Sequence, residues 1–266
     1  MPTTPRHPLI DYVIYLADNA LIMGHRNSEW CGHGPILEQD IAITNLSLDL
    51  IGQARSFYQY AAELINQSAE PTAYSSLHDA AGGTVTEDSL AYLRDVRAFR
   101  NCLLTEQPNG DWGQTILRQF FFSAYQSALY RQLQHSADET LAAIAAKSSR
   151  EVAYHLRWSS EWVIRLGDGT EESHGRMEAA LTHLWPYTGE LTSPADFETA
   201  GGTHPELLKK EWKERVEEIF HEATLLMPPD NIYMHQGGKT GNHSEHLGYI
   251  LAELQFLQRA YPGCEW

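Results

Sequence analysis

The sequence predicts an all-α fold. Apolar residues recur at steps of three and four through most of the 266 residues. Helix-opening signals precede these segments, and Gly or Pro clusters follow them. No stretch alternates apolar and polar residues as a half-buried strand does, and no internal repeat or low-complexity tract breaks the pattern.

Each element has its own reason. Pro8 stands before the first helix, expected over 9–26, and NSEWCGHG is a short link. Pro35 suits the first turn of a second helix reaching residue 66. Residues 67–83 are polar and Gly-containing, so they read as a loop. Thr84 with Glu87 has capping-box spacing and opens a third helix, expected over 84–105. EQPNGD is a turn, after which Asn109 or Asp111 caps a fourth helix to residue 135. Asp138 opens a fifth, which stops at Gly167-Asp168-Gly169. Thr170 starts a sixth to residue 188, followed by a loop over 189–204. Pro205 starts a seventh, halted by Pro228 and Pro229. QGGKTG links it to an eighth over 242–260, which Pro262 ends.

Short links make the first two long helices antiparallel, and likewise the fourth and fifth. Two such hairpins, 9–66 and 111–166, with additional peripheral helices form a ferritin-like four-helix bundle, read as a single domain over 1–266.

Composition bounds the function. Nineteen basic against 35 acidic residues leave a net charge of −16, which argues against nucleic-acid or anionic-membrane binding. No apolar run approaches the roughly 20 residues needed to span a bilayer. The N-terminus lacks a signal-peptide h-region, and three scattered cysteines make no disulfide or CxxC framework. A cytoplasmic protein with no nucleic acid or membrane partner is expected.

A ferritin-like bundle raises the question of a di-iron carboxylate site, which takes Glu from two helices and Glu-x-x-His from each of the other two. Here Glu151 is followed at the third position by Tyr154, with His155 one residue later; Asp49 is followed by Gly52. At equal depth on the partner helices stand Asp18-Asn19 and Phe122-Ser123. Lys147 lies one turn before Glu151. The expectation is a vestigial buried polar network of Asp49, Lys147, Glu151 and His155, with the lysine standing in for a metal's charge. No catalytic, cofactor or metal residue is assigned. The strings Glu171-Glu172-Ser173-His174 and Glu218-Ile219-Phe220-His221 lie outside the core hairpins. Asn242-His243-Ser244-Glu245-His246 reads as a cap and surface patch. GGKTG lacks P-loop spacing and reads as a flexible link.

Four segments carry a resemblance: EWCGHGPILEQDIAITNLSLDLIGQAR, EQPNGDWGQTILRQ, SSREVAYHLRWSSEW with RLGDGTEES, and GGKTGNHSEHLGYILAELQFLQRAYPG. In this order they resemble the C-subunit family of bacterial phenylacetyl-CoA epoxidases, over residues 9–266. The resemblance implies a non-catalytic structural subunit of a multicomponent monooxygenase in aerobic phenylacetate catabolism. It implies no cofactor in this chain. A partner A subunit would carry the di-iron centre, and a reductase would use flavin, an iron–sulfur centre and NADPH. A small B subunit would complete the complex, which binds phenylacetyl-CoA. Two other readings stand beside it. One is a divergent di-iron oxygenase using Asp49, Glu151, His155 and Asp18. The other is a CoA-channel wall in which Lys239 or Arg55 meets the phosphates.

Overall fold

A computed structural model describes residues 7–68, 74, 77, 83–262 and 264. The secondary structure of these residues is helical, with no strand among them. Most of the expected 67–83 loop lies outside the described residues.

Four long helices make the core: α1 (Pro8–Ser28), α2 (Leu37–Gln67), and further along the chain a second pair. Between them lie α3 (Glu87–Tyr92) and α4 (Leu103–Glu106). The second pair is α5 (Trp112–Leu133) and α6 (Glu139–Gly167). Asp111 caps α5 by accepting from the Gln114 amide, and Asp138 caps α6 by accepting from Leu141. The two hairpins pack as a four-helix bundle. Tyr15 bonds Tyr125 across α1 and α5 at 2.7 Å, and Asn27 bonds Gln119 at 2.6 Å. Gln39 accepts from Trp158 across α2 and α6 at 3.2 Å, and Tyr60 donates to Asp138 near the other end. Residue numbers rise on one helix as they fall on its neighbour, so each of these contacts is antiparallel.

The sequence predicts one helix over 84–105; the structure breaks it into α3, a 3-10 turn and α4. Thr86, not Thr84, is the cap, and Ser89 completes the capping box. The break has a physical cause in α1. Asp18 accepts from the Arg100 amide at 2.7 Å, and Asn19 accepts from the Cys102 amide at 2.9 Å. Buried acceptors on a neighbouring helix satisfy these backbone donors, which need no helical partner.

Outside the bundle come α7 (Glu171–Leu184), α8 (Gly189–Thr192), α9 (Pro205–Glu222), α10 (Glu245–Leu254) and α11 (Phe256–Ala260). The expected loop over 189–204 contains α8 and a 3-10 turn, Asp196–Gly201. That turn covers α1 closely: a Cβ on Gly201 would sit 2.0 Å from the Tyr12 ring. α9 ends six residues before Pro228, turning through Thr224 at φ 57. The expected last helix divides at Gln255, whose buried amide donates to the Ala91 and Arg94 carbonyls.

Candidate functional site

The bundle interior is polar along one column. Gln119, Ser123, Gln126 and Tyr130 follow one another at steps of four, three and four on α5, and all are buried. This stripe faces α1 and α2. Gln119 accepts from Asn27 and donates to Ser123 at 2.7 Å. Gln126 donates to Gln53 of α2 at 3.3 Å, and the Tyr130 hydroxyl does the same. Gln53 in turn donates to Glu151 of α6 at 2.9 Å. Asp49 lies one turn before Gln53 and meets His155 Nε2 at 3.0 Å.

The four residues singled out from sequence are thus partly brought together. His155 is fully buried, and among the described residues its Nδ1 has no hydrogen-bond partner. Its single side-chain hydrogen bond among the described residues is the one between Nε2 and the Asp49 carboxylate. Glu151 sits at the edge of the column, and the Asp49 side chain is 37% exposed. Lys147 does not join: it is exposed, contrary to the expected buried network. The helical wheel explains this. The buried line on α6 runs Leu141, Ala145, Ser148, Val152, His155 and Ser159. Glu151 is rotated about 100° from Val152, and Lys147 turns about 40° further outward. A lysine on that side reaches water rather than the bundle axis.

This donor set does not fit a di-iron centre. Such a centre requires carboxylates from all four helices. The interior here presents Asn27, Gln53, Gln119, Ser123 and Gln126, and among the described residues Glu151 is the one carboxylate bonded into that column. Amides are neutral and hold hard cations weakly compared with carboxylates. Among the described residues, no group of three or more His, Cys, Asp or Glu side chains could hold a metal ion.

Other sequence candidates have structural partners. Asp18 faces away from that column. It takes Tyr58 at 2.5 Å, the Arg100 amide, and the Arg94 guanidinium, both charges being fully buried. His174 caps the end of α6 through the Gly167 carbonyl at 2.7 Å. Glu218 pairs with Arg215 at 2.8 Å. His243 is no surface residue: its side chain is fully buried between Glu106 at 2.8 Å and the Phe99 carbonyl at 3.1 Å. Burial disfavours charge there, but Glu106 and Phe99 outweigh it and raise the imidazole pKa. Lys239 is also buried, bonded to Glu198 at 2.5 Å and the Ser193 carbonyl at 2.7 Å. Burial raises the Glu198 pKa, with Lys239 opposing it. Lys239 is therefore committed to a carboxylate and offers no free charge to a phosphate. Its cavity, about 410 Å³, is lined by Asp11 and Glu190 as well as Arg100. Arg55 is exposed and pairs with Glu87 at 3.4 Å.

Sequence reasoning missed the glutamine column and the Arg94–Asp18 pair. The column had a signal: polar residues at helical spacing inside the otherwise apolar run ILRQFFFSAYQSALY. Arg94 had none, because its partner is 76 residues away.

The full chain, residues 1–266, matches the family model described as "Phenylacetic acid catabolic protein". A curated relative, the C subunit of the 1,2-phenylacetyl-CoA epoxidase of Escherichia coli (strain K12), is 44% identical over 263 residues, covering 97% of this chain and 99% of the relative. Among solved structures the chain is similar to "Protein 19 with aldehyde deformylating oxidase activity from Synechococcus", with TM-score 0.48 and 15% identity over 82% of this chain and 88% of that one. Among the described residues no helix is long and apolar enough to cross a membrane. With the whole chain matched by the family model and nearly all of it aligned to the E. coli relative, the chain belongs to the phenylacetic acid catabolic protein family.

Proposed function

We propose that this chain is a non-catalytic structural subunit of a phenylacetyl-CoA epoxidase, packed against and supporting the A subunit. One observation supports the non-catalytic part: the inner column is bonded through the neutral amides Gln53, Gln119 and Gln126, whereas a di-iron site draws carboxylates from all four helices of such a bundle. The E. coli relative is named as a subunit of the epoxidase, which supports membership of such a complex. In this reading the iron resides in the A subunit, and flavin, the iron–sulfur centre and NADPH belong to the reductase. This chain supplies surface and rigidity rather than ligands. A small B subunit and phenylacetyl-CoA complete the assembly.

The test is reconstitution. The A subunit is prepared with and without this chain, and reductase-driven oxidation of phenylacetyl-CoA is followed. The reading expects a stable complex, with activity lost when this chain is omitted. An A subunit that is equally stable and active alone would contradict it.

A further inference from the structure

The outer face of α2 is unlike the rest of the surface. Leu37, Ile41, Thr44, Leu48, Ile51 and Arg55 follow at steps of four, three, four, three and four. Leu37 is 72% exposed, Ile41 52%, Leu48 63% and Ile51 41%. These positions lie about half a turn from the core positions Leu46, Leu50 and Phe57. α2 is therefore apolar on two opposite sides, and the bundle uses only one. An alternating four-and-three repeat averages 3.5 residues, the spacing of a seam that takes another helix.

We infer that this seam docks a helical face of another chain whose apolar ridge is bordered by basic residues. The inference rests on the subunit reading above, in which that chain is the A subunit. Charge selects a different chain over a second copy. The seam is flanked by Glu38 and Asp40, with Glu63 two turns beyond it and Glu87 and Asp88 beside Arg55 in an adjoining cleft. The whole chain carries −16. A symmetric dimer through this face would set acids against acids, whereas Lys or Arg on a partner would complement them.

Area sets the extent of the contact. From residue 37 to 55 the seam is about 27 Å long and about 10 Å wide, roughly a third of the ~800 Å² that one partner commonly buries. Other exposed apolar side chains stand on neighbouring elements. Ile51 shares its cleft with Ala91 and Tyr92. Arg259 donates to the Arg94 carbonyl at 3.0 Å, which lays α10 and α11 beside α3. Tyr249, Phe256 and Leu257 of those two helices are exposed. The partner covers both surfaces.

The experiment uses the full chain co-expressed with the A subunit, with affinity measured on the purified proteins. Ile41→Glu with Leu48→Glu should weaken binding at least about 100-fold, as loss of central anchors does. The thermal midpoint should not change, since both side chains face water. Tyr233→Glu, exposed outside this surface, should bind as the parent does. Glu38→Lys with Glu63→Lys should slow association about tenfold at low salt. If the doubly charged variant fails to fold, Leu37→Ser with Leu48→Ser carries the same test. A folded seam variant that binds unchanged overturns the docking surface while the subunit reading stands. A parent chain with no affinity for the A subunit overturns both. A homodimer dissolved by the seam variant makes a second copy the occupant and overturns the inference.

Discussion

A buried charge must be answered within hydrogen-bonding reach. Asp18 is answered by Tyr58, Arg94 and the Arg100 amide, none of which is on its own helix. Removing one member of such a set strands the others. Asp18→Ala should cost about 3–5 kcal/mol in urea unfolding, because Arg94 would remain buried without its carboxylate. His243 makes a pH prediction. Its folded pKa is raised above the ordinary histidine value by Glu106 and Phe99 against the effect of burial. A raised pKa means the folded state holds its proton more tightly than the unfolded chain. The stabilisation is therefore complete below about pH 6.5 and fades as pH rises through the folded pKa. The difference in unfolding free energy between the parent and His243→Gln should shrink from pH 6 to pH 9. A constant difference would show that the imidazole carries no charge in the fold.

Helix ends were legible where a short-range signal sets them. Asp111, Asp138 and Thr170 each cap the helix they were expected to open. Asp138→Ala should lower stability by about 1–2 kcal/mol, through loss of the cap and of the Tyr60 bond, read as a lower denaturation midpoint. The close crossing at Gly167 is a packing feature: a Cβ there would stand 2.4 Å from the Ala223 carbonyl. Gly167→Ala should cost about 1–3 kcal/mol by forcing α6 from α9. What local pattern could not give was the break between α3 and α4, since Asp18 and Asn19 take those backbone donors from afar. Lys147 shows a different limit. Its spacing from Glu151 was legible, but about 40° of rotation around the helix decided which of the two stayed near the core. The site was legible in part: Asp49 and His155 do meet, while Glu151 bonds Gln53, a residue sequence reasoning passed over.

The strongly acidic chain presents an apolar helix face and, within an apolar core, one column of neutral amides. Both features support the proposed non-catalytic reading. Complex formation with the A subunit should slow as salt screens the acidic rim, a dependence that stopped-flow association at increasing ionic strength would record. In the proposed assembly the iron belongs to the partner. The most direct measurement is the metal content of the folded, isolated chain by plasma mass spectrometry, after anaerobic incubation with ferrous iron and desalting. The account predicts far less than one iron per chain; about two irons per chain, as a di-iron carboxylate bundle holds, would contradict it.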